Sequence, residues 1–199
     1  MNESSTGTLF VKSKEDLKAF LKVEKEKYNA SRFTIPFFEF RERQILWRHN
    51  SLLRRAEYHR NQGHSIRANY YKLRLKSLQN KYGIHIPINC FDQGLKIMHL
   101  GPILVNQDAK IGRDCSIHIN TSIVAGGRDS GVPLIGNNVV IGIGAVILGG
   151  IRLADYMAIG ANAVVNKSFN EENITVAGVP AKKISETGRK EWNKPLEAI

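Results

Sequence analysis

Two different periods divide the chain. From residue 13 to 82, apolar positions recur at helical spacing. Ser13-Lys14-Glu15-Asp16 has the form of a capping box, with Leu17, Phe20 and Leu21 as the apolar edge behind it. Ile45, Leu46, Leu52, Leu53 and Ala56 predict a second helix after a break at Pro36. Ser65 is placed to cap a third, with Ile66, Tyr70, Leu73 and Leu78 on one face until Gly83 stops it. The aromatic residues Phe37, Phe38, Phe40, Trp47, Tyr70 and Tyr71 are read as packing groups.

Past residue 100 the helical period gives way to a repeat of six. Val105, Ile111, Ile117, Ile123, Ile135, Ile141, Ile147, Leu153, Ile159 and Val165 form the series, and Asp129 is its one break. Four residues after each aliphatic comes a mostly small or apolar side chain, such as Ala109, Cys115, Ala145 and Ala163. An α-helix cannot keep such a stripe on one face, because six residues leave each repeat about 120° off the last. Flat strands that turn a corner every six residues can, and three repeats then close one triangular coil. About four stacked coils are expected, with the aliphatics aligned into ladders. The segment GGRDSGVP, residues 126 to 133, interrupts the stripe, yet Ile135 resumes it. A loop extruded from one corner is expected there, a place where function tends to sit.

Charge separates the same two regions. Through Lys81 there are 18 Lys and Arg against 8 Asp and Glu, out of 29 and 18 in the whole chain of 199 residues. That basicity suits nucleic acid, anionic lipid headgroups or phosphorylated ligands. No RNP, zinc-finger or helix-turn-helix spacing accompanies it, so a solvated helical surface is the plainer reading and specific nucleic-acid binding is not expected. Cys90 and Cys115 fit neither a disulfide framework nor a zinc quartet, which leaves two buried thiols in a reducing compartment. With neither a signal-peptide pattern nor a long apolar run, a soluble, cytoplasmic protein is expected.

The segments GLKIMHLGPILVNQDAKIGRDCSIH (94 to 118), IGNNVVIGIGAVILGGI (135 to 151), IGANAVVNKS and AGVPAKKI (159 to 184) resemble the hexapeptide-repeat acyltransferases. More narrowly they resemble the serine acetyltransferase family, including members found in polysaccharide biosynthesis. The resemblance implies a mainly β fold, a left-handed parallel β-helix over 83–184 behind an α-helical region over 1–82; residues 185–199 leave the repeat and are expected as a short cap or an extended arm covering the last coil. It implies a trimer, or a hexamer of two trimers, with acetyl-CoA as acyl donor in clefts between subunits.

His99 matches the family's catalytic histidine, a general base that takes the acceptor's hydroxyl proton. It lies six residues before Val105, in the aliphatic register. By the same resemblance Gly142, Gly144, Ala145, Gly160, Ala161, Lys167, Lys182 and Lys183 are the candidates for holding coenzyme A; no metal is implied. Three positions depart from the pattern. Met98 stands where an aspartate precedes the histidine, Val132 replaces a loop histidine before Pro133, and Ile84 or His85 falls where an acidic partner orients the imidazole.

An ammonium taken out of water needs such a carboxylate, so a sugar hydroxyl of a surface polysaccharide is the first expectation for the acceptor. L-serine is the second. Asp92, Asp129 and His118 are the candidates for substrate contacts, while His49, His59 and His64 stand without a constellation. A catalytically silent coil with basic helices as docking surface is the reading from another class.

Overall fold

The computed structural model describes residues 10–28, 37–127 and 131–192. Asp129 of the extruded loop and the side chains of Phe37, Phe38, Phe40 and Trp192 lie outside the described residues. Three helices come first: α1 (Lys14–Tyr28), α2 (Phe37–Asn61) and α3 (Ser65–Tyr82). The capping box forms as a reciprocal pair, Asp16 N–H donating to Ser13 Oγ at 2.9 Å and Ser13 N–H to Asp16 Oδ2 at 2.8 Å. At the other end Gly83 adopts a left-handed φ of 74° and its amide closes on Gln79 O, ending α3.

Two helical expectations need correction. His64, not Ser65, is the N-cap of α3, and no side chain caps it. The apolar face also differs: Ala68 and Leu75 are buried and Leu78 packs inward, whereas Ile66, Tyr70 and Leu73 face water. Apolar residues occur on opposite sides of this helix, so period alone could not choose; the fit of small Ala68 and Gln79 against the neighbouring elements did. Gln79 is buried because its amide donates to Ile86 O at 2.7 Å.

Among the described residues fourteen short strands follow, in three sheets. Sheet 1 holds β1 (Ile84–His85), β3 (Ile103–Val105), β6 (Thr121–Val124), β9 (Val146–Leu148) and β12 (Val164–Val165). Sheet 2 holds β4 (Lys110–Ile111), β7 (Leu134–Ile135) and β10 (Arg152–Leu153). Sheet 3 holds β2 (Lys96–Ile97), β5 (Ser116–Ile117), β8 (Val140–Ile141), β11 (Ala158–Ile159) and β13 (Thr175–Ala177), with β14 (Lys182–Ser185) antiparallel on its edge.

The chain visits sheets 1, 2 and 3 in turn, so each circuit is one coil. All ten aliphatics of the six-residue series are buried, none more than 5% exposed. They stack in register: Val105 on Ile123, Ile147 and Val165; Ile111 on Ile135 and Leu153; Ile117 on Ile141 and Ile159. Burying one such side chain contributes roughly 1.5–3 kcal/mol, so the ladders are the main support of this half. Pairing resumes in register after the interruption at 126–133, since Ile111 meets Ile135 and Ile123 meets Ile147.

Five coils form rather than four. Phe91 bridges to Ile111 at one end and Phe169 to Leu153 at the other, completing turns whose spacing departs from six. Corners are turned by residues in the left-handed region, Asp114, Asn120, Asn138 and Asn162 among them. These types tolerate it because their short polar side chains satisfy nearby backbone.

An open β-helix end leaves unpaired backbone groups. Here the helices supply the partners. Glu24 Oε1 accepts from the Gly94 and Leu95 amides, the Tyr28 hydroxyl accepts from Ile97 N–H at 2.8 Å, and Asn50 Nδ2 donates to Leu95 O at 3.0 Å. At the far end β14 pairs with the edge of β13. Beyond it the described residues run back along the side as far as Trp192, where Arg189 in α4 (Arg189–Trp192) donates to Asp114 O and Val139 O; the rest of the expected cap or arm, 193–199, lies outside the described residues. Both cysteines are free and buried, and burial pushes each thiol up to about 12, so they are inert packing groups.

Candidate functional site at the helix and coil junction

His99 does not occupy the inward slot that its spacing assigns. The residue that stacks on Ile117 is Ile97, and Ile97 lies eight residues before Val105 where later coils have six. Two extra residues therefore widen the corner between β2 and β3. The imidazole is turned out of the core, with 59% of its side chain exposed. A ring that would be desolvated and unpartnered in an aliphatic ladder instead reaches solvent and a partner.

That partner comes from α2. Glu42 Oε1 lies 3.6 Å from His99 Nδ1 and accepts the Leu100 amide at 2.7 Å, which ties the carboxylate to the widened corner. The reading from sequence looked upstream of the coil at Ile84 and His85 and missed it. Nothing in local spacing connects residue 42 to residue 99; only the docking of α2 on the first coil does. A carboxylate at Nδ1 favours the tautomer that carries its proton there and leaves Nε2 as the basic nitrogen.

His118 occupies the same corner one coil on. Its amide donates to Ile141 O, and its ring centroid is 6.2 Å from that of His99. Burial, then the His99 and Lys96 charges, lower its pKa, so it stays neutral near pH 7. The corner continues downwards with Gly142, whose amide meets Ile159 O, and Gly160, whose amide meets Val176 O. A Cβ on Gly142 would come within 2.8 Å of the Ala161 nitrogen, so a side chain there would crowd the backbone of the next coil. One on Gly160 would lie 2.7 Å from Ala177 Cβ. Lys182 is paired with Ala177 at the foot of this row. Five coils at about 4.8 Å spacing put about 19 Å between His99 and Ala177, with Lys182 one strand further on.

Gly144 and Ala145 belong to the same corner, and the remaining candidates lie elsewhere. Ala145 faces the interior, fully buried, and its amide and carbonyl bond to Gly142 O and Ser122 N–H. Gly144 turns the corner with φ 71° and donates to Ile119 O. Lys167 sits at another corner, over the Phe169 ring, and Lys183 is held by Glu171 and Glu186 at 2.6 Å each. Asp92 is buried at the corner between sheets 2 and 3, with its carboxylate beside Arg113 and the Gln93 amide, away from His99. His59 and His64 do meet, Nδ1 to Nδ1 at 3.3 Å, at the α2–α3 turn. Among the described residues no group of three or more His, Cys, Asp and Glu could hold a metal.

Beside His99 a cavity of about 260 Å³ opens between α1, α2 and β2, lined by Tyr28, Glu42, Arg43, Lys96 and Met98 among others. Burial, then the Arg43, Lys27 and Arg189 charges, hold the Lys96 ammonium below its ordinary pKa. Lys27 is engaged with Asp114 at 2.6 Å. With Lys27 engaged, the cavity presents two cations and one carboxylate next to the His99 imidazole.

No protein-family model matches the chain. It is 34% identical to the serine acetyltransferase of Synechococcus elongatus over 98 residues, 48% of this chain and 40% of that protein. The same identity holds to the serine acetyltransferase of Haemophilus influenzae over 116 residues, 55% and 43% of the two chains. The matches thus span less than half the length of these curated relatives. Among solved structures, serine acetyltransferase from Brucella abortus in complex with coenzyme A superposes with a TM-score of 0.69 at 29% identity, covering 88% of this chain and 70% of that one. The hexapeptide-repeat serine O-acetyltransferase from Brucella melitensis gives 0.66 at 30% identity, covering 87% and 69%. Those structures join an N-terminal helical region to a left-handed β-helix, the architecture found here. The chain belongs to the serine acetyltransferase-like family of hexapeptide-repeat acyltransferases.

Proposed function

We propose that the protein transfers an acetyl group from acetyl-CoA to the hydroxyl of a small acceptor, with His99 as general base. The observation that carries this reading is the exposed His99 imidazole, with Glu42 at its Nδ1, at the head of a row of small corner residues. Nε2 takes the acceptor's hydroxyl proton as the oxygen attacks the thioester carbonyl. The imidazolium then returns that proton to the departing CoA sulfur. No covalent enzyme intermediate is needed. The row through Gly142, Gly160 and Lys182 suits the pantetheine arm and phosphates of coenzyme A, and the open side of this row is where a second coil would stand in a trimer.

L-serine is favoured over the polysaccharide sugar that the sequence alone put first. Two relatives and two solved structures carry the name serine acetyltransferase. The physical objection to serine was a missing carboxylate, and Glu42 supplies one in the cavity, with Arg43 and Lys96 to meet the acceptor's own carboxylate. A volume of about 260 Å³ also falls below the roughly 300 Å³ at which drug-sized ligands begin to fit. Met98, in place of the family's aspartate, keeps a neutral hydroxyl acceptor as the second reading.

Following free thiol release from acetyl-CoA tests this directly. Release should depend on added L-serine and be weak with sugars and nucleotide sugars. Release with sugars alone would move the acceptor to the second reading, and none with any acceptor would refute acetyl transfer.

A further inference from the structure

The third helix carries apolar residues on two opposed faces. Its inner face is accounted for, since Ala68 and Leu75 are buried and Tyr71, Leu78 and Tyr82 pack on the core. On its outer face Ile66, Tyr70 and Leu73 are 88%, 52% and 72% exposed. Their spacing, i, i+4 and i+7, makes one ridge along the helix. At 100° per residue, Arg67, Arg74 and Lys81 flank the ridge on one side and Lys72 and Lys76 on the other.

No acidic residue occurs in α3 itself. From residue 44 to 82 the one carboxylate is Glu57, buried against Arg54, while eight Lys and Arg side chains are exposed. A groove of about 760 Å³ runs along the Lys72 and Lys76 flank, with Leu73, Leu75, Ile86 and Ile88 in its wall. Among the described residues Asp108 is the one carboxylate lining it.

We propose that α3 is a docking face for an anionic lipid bilayer, its Ile66–Tyr70–Leu73 ridge entering the headgroup boundary while the flanking cations meet lipid phosphates. Three large apolar groups beside cations on both sides are the pattern of a helix lying in the interface. Tyr70 is suited to that depth, with its ring under the Arg74 guanidinium and its hydroxyl accepting from it at 2.8 Å. A second copy docking face to face would set one cation row against another, with no acid to offset it. Nucleic acid would use the cations and leave the ridge unexplained. No described helix is long and apolar enough to cross a membrane, so the contact is with the surface. The proposal does not rest on acetyl transfer.

Sedimentation of the whole protein with phosphatidylcholine vesicles, with and without phosphatidylglycerol, tests it. Binding should require the anionic lipid. Arg67→Gln with Arg74→Gln should weaken it about fivefold per charge, and Ile66→Ser with Leu73→Ser at least tenfold. Helix content and thermal midpoint should not change, because all four side chains are exposed. Three results would overturn the proposal. The first is no binding to anionic vesicles, and the second is full binding by the Ile66→Ser, Leu73→Ser variant. The third is self-association that this variant abolishes, which would assign the face to a second copy.

Discussion

The coil and the helices that crown it are held together by opposite means. In the coil, stability is spread over many equivalent aliphatics and parallel backbone pairs, each replaceable by its neighbours above and below. In the helices it is concentrated. One guanidinium, Arg54, donates to Glu24 and Glu57 and to the backbone oxygens of Phe91 and Asp92, so a single buried group ties α1, α2 and the first coil. Burial opposes its charge, but Glu24 and Glu57 outweigh that and hold its pKa above the ordinary value. The candidate site lies where the two regimes meet, with His99 given by the coil and Glu42 by the helix. A site on such a seam depends on the docking of one region on the other as much as on its own residues.

The largest expected effect is on the seam itself. His99→Ala should lower thiol release by about two to four decades, and Glu42→Gln by about a hundredfold through misplacement of the ring. The thermal midpoint should hold in both, since His99 is exposed and Glu42 only partly covered. Equal activity in His99→Ala would remove the base from the scheme.

Next comes the clamp. Arg54→Ala leaves two buried carboxylates unpaired and should cost about 3–5 kcal/mol, read from chemical denaturation. A loss under 1 kcal/mol would show that the helical region is held as diffusely as the coil.

Acid probes the same region through His49, which is fully buried; burial lowers its pKa to about 4, and its Nε2 has no partner among the described residues. With the folded pKa depressed, the fold binds fewer protons than the unfolded chain. This contribution is present above about pH 6.5 and lost as pH falls towards 4, roughly 3 kcal/mol in all. Glu24, whose carboxyl burial raises, acts with the opposite sign. The readout is therefore the difference between the protein and His49→Gln, which should shrink across that window.

The smallest effect is expected in the ladder. Ile141→Val removes one methylene from a fully buried rung and should cost about 1 kcal/mol, with activity kept. A loss as large as that of Arg54→Ala would deny the redundancy of the coil.

How far these features could be read in advance follows the same division. Ladder residues from Val105 to Val165 were legible because a six-residue period has one geometric solution, and each rung repeats the constraint of the last. His99 was legible as a residue but not as a position: two extra residues at its corner shift the register, and spacing counted backwards from Val105 cannot see an insertion. On α3, two apolar stripes compete in the sequence, and only packing against α2 and the first coil chose between them.

By itself, the order of residues determined the coil, the inert thiols and the basic character of the helices, because local repetition and composition suffice for these. Tertiary structure alone decided the pairing of Glu42 with His99, the capping of the first coil by Glu24, Tyr28 and Asn50, and the outward turn of Ile66, Tyr70 and Leu73. Each joins groups tens of residues apart or selects one helix face over another. Such choices are made by the packing of whole elements, which no local period encodes.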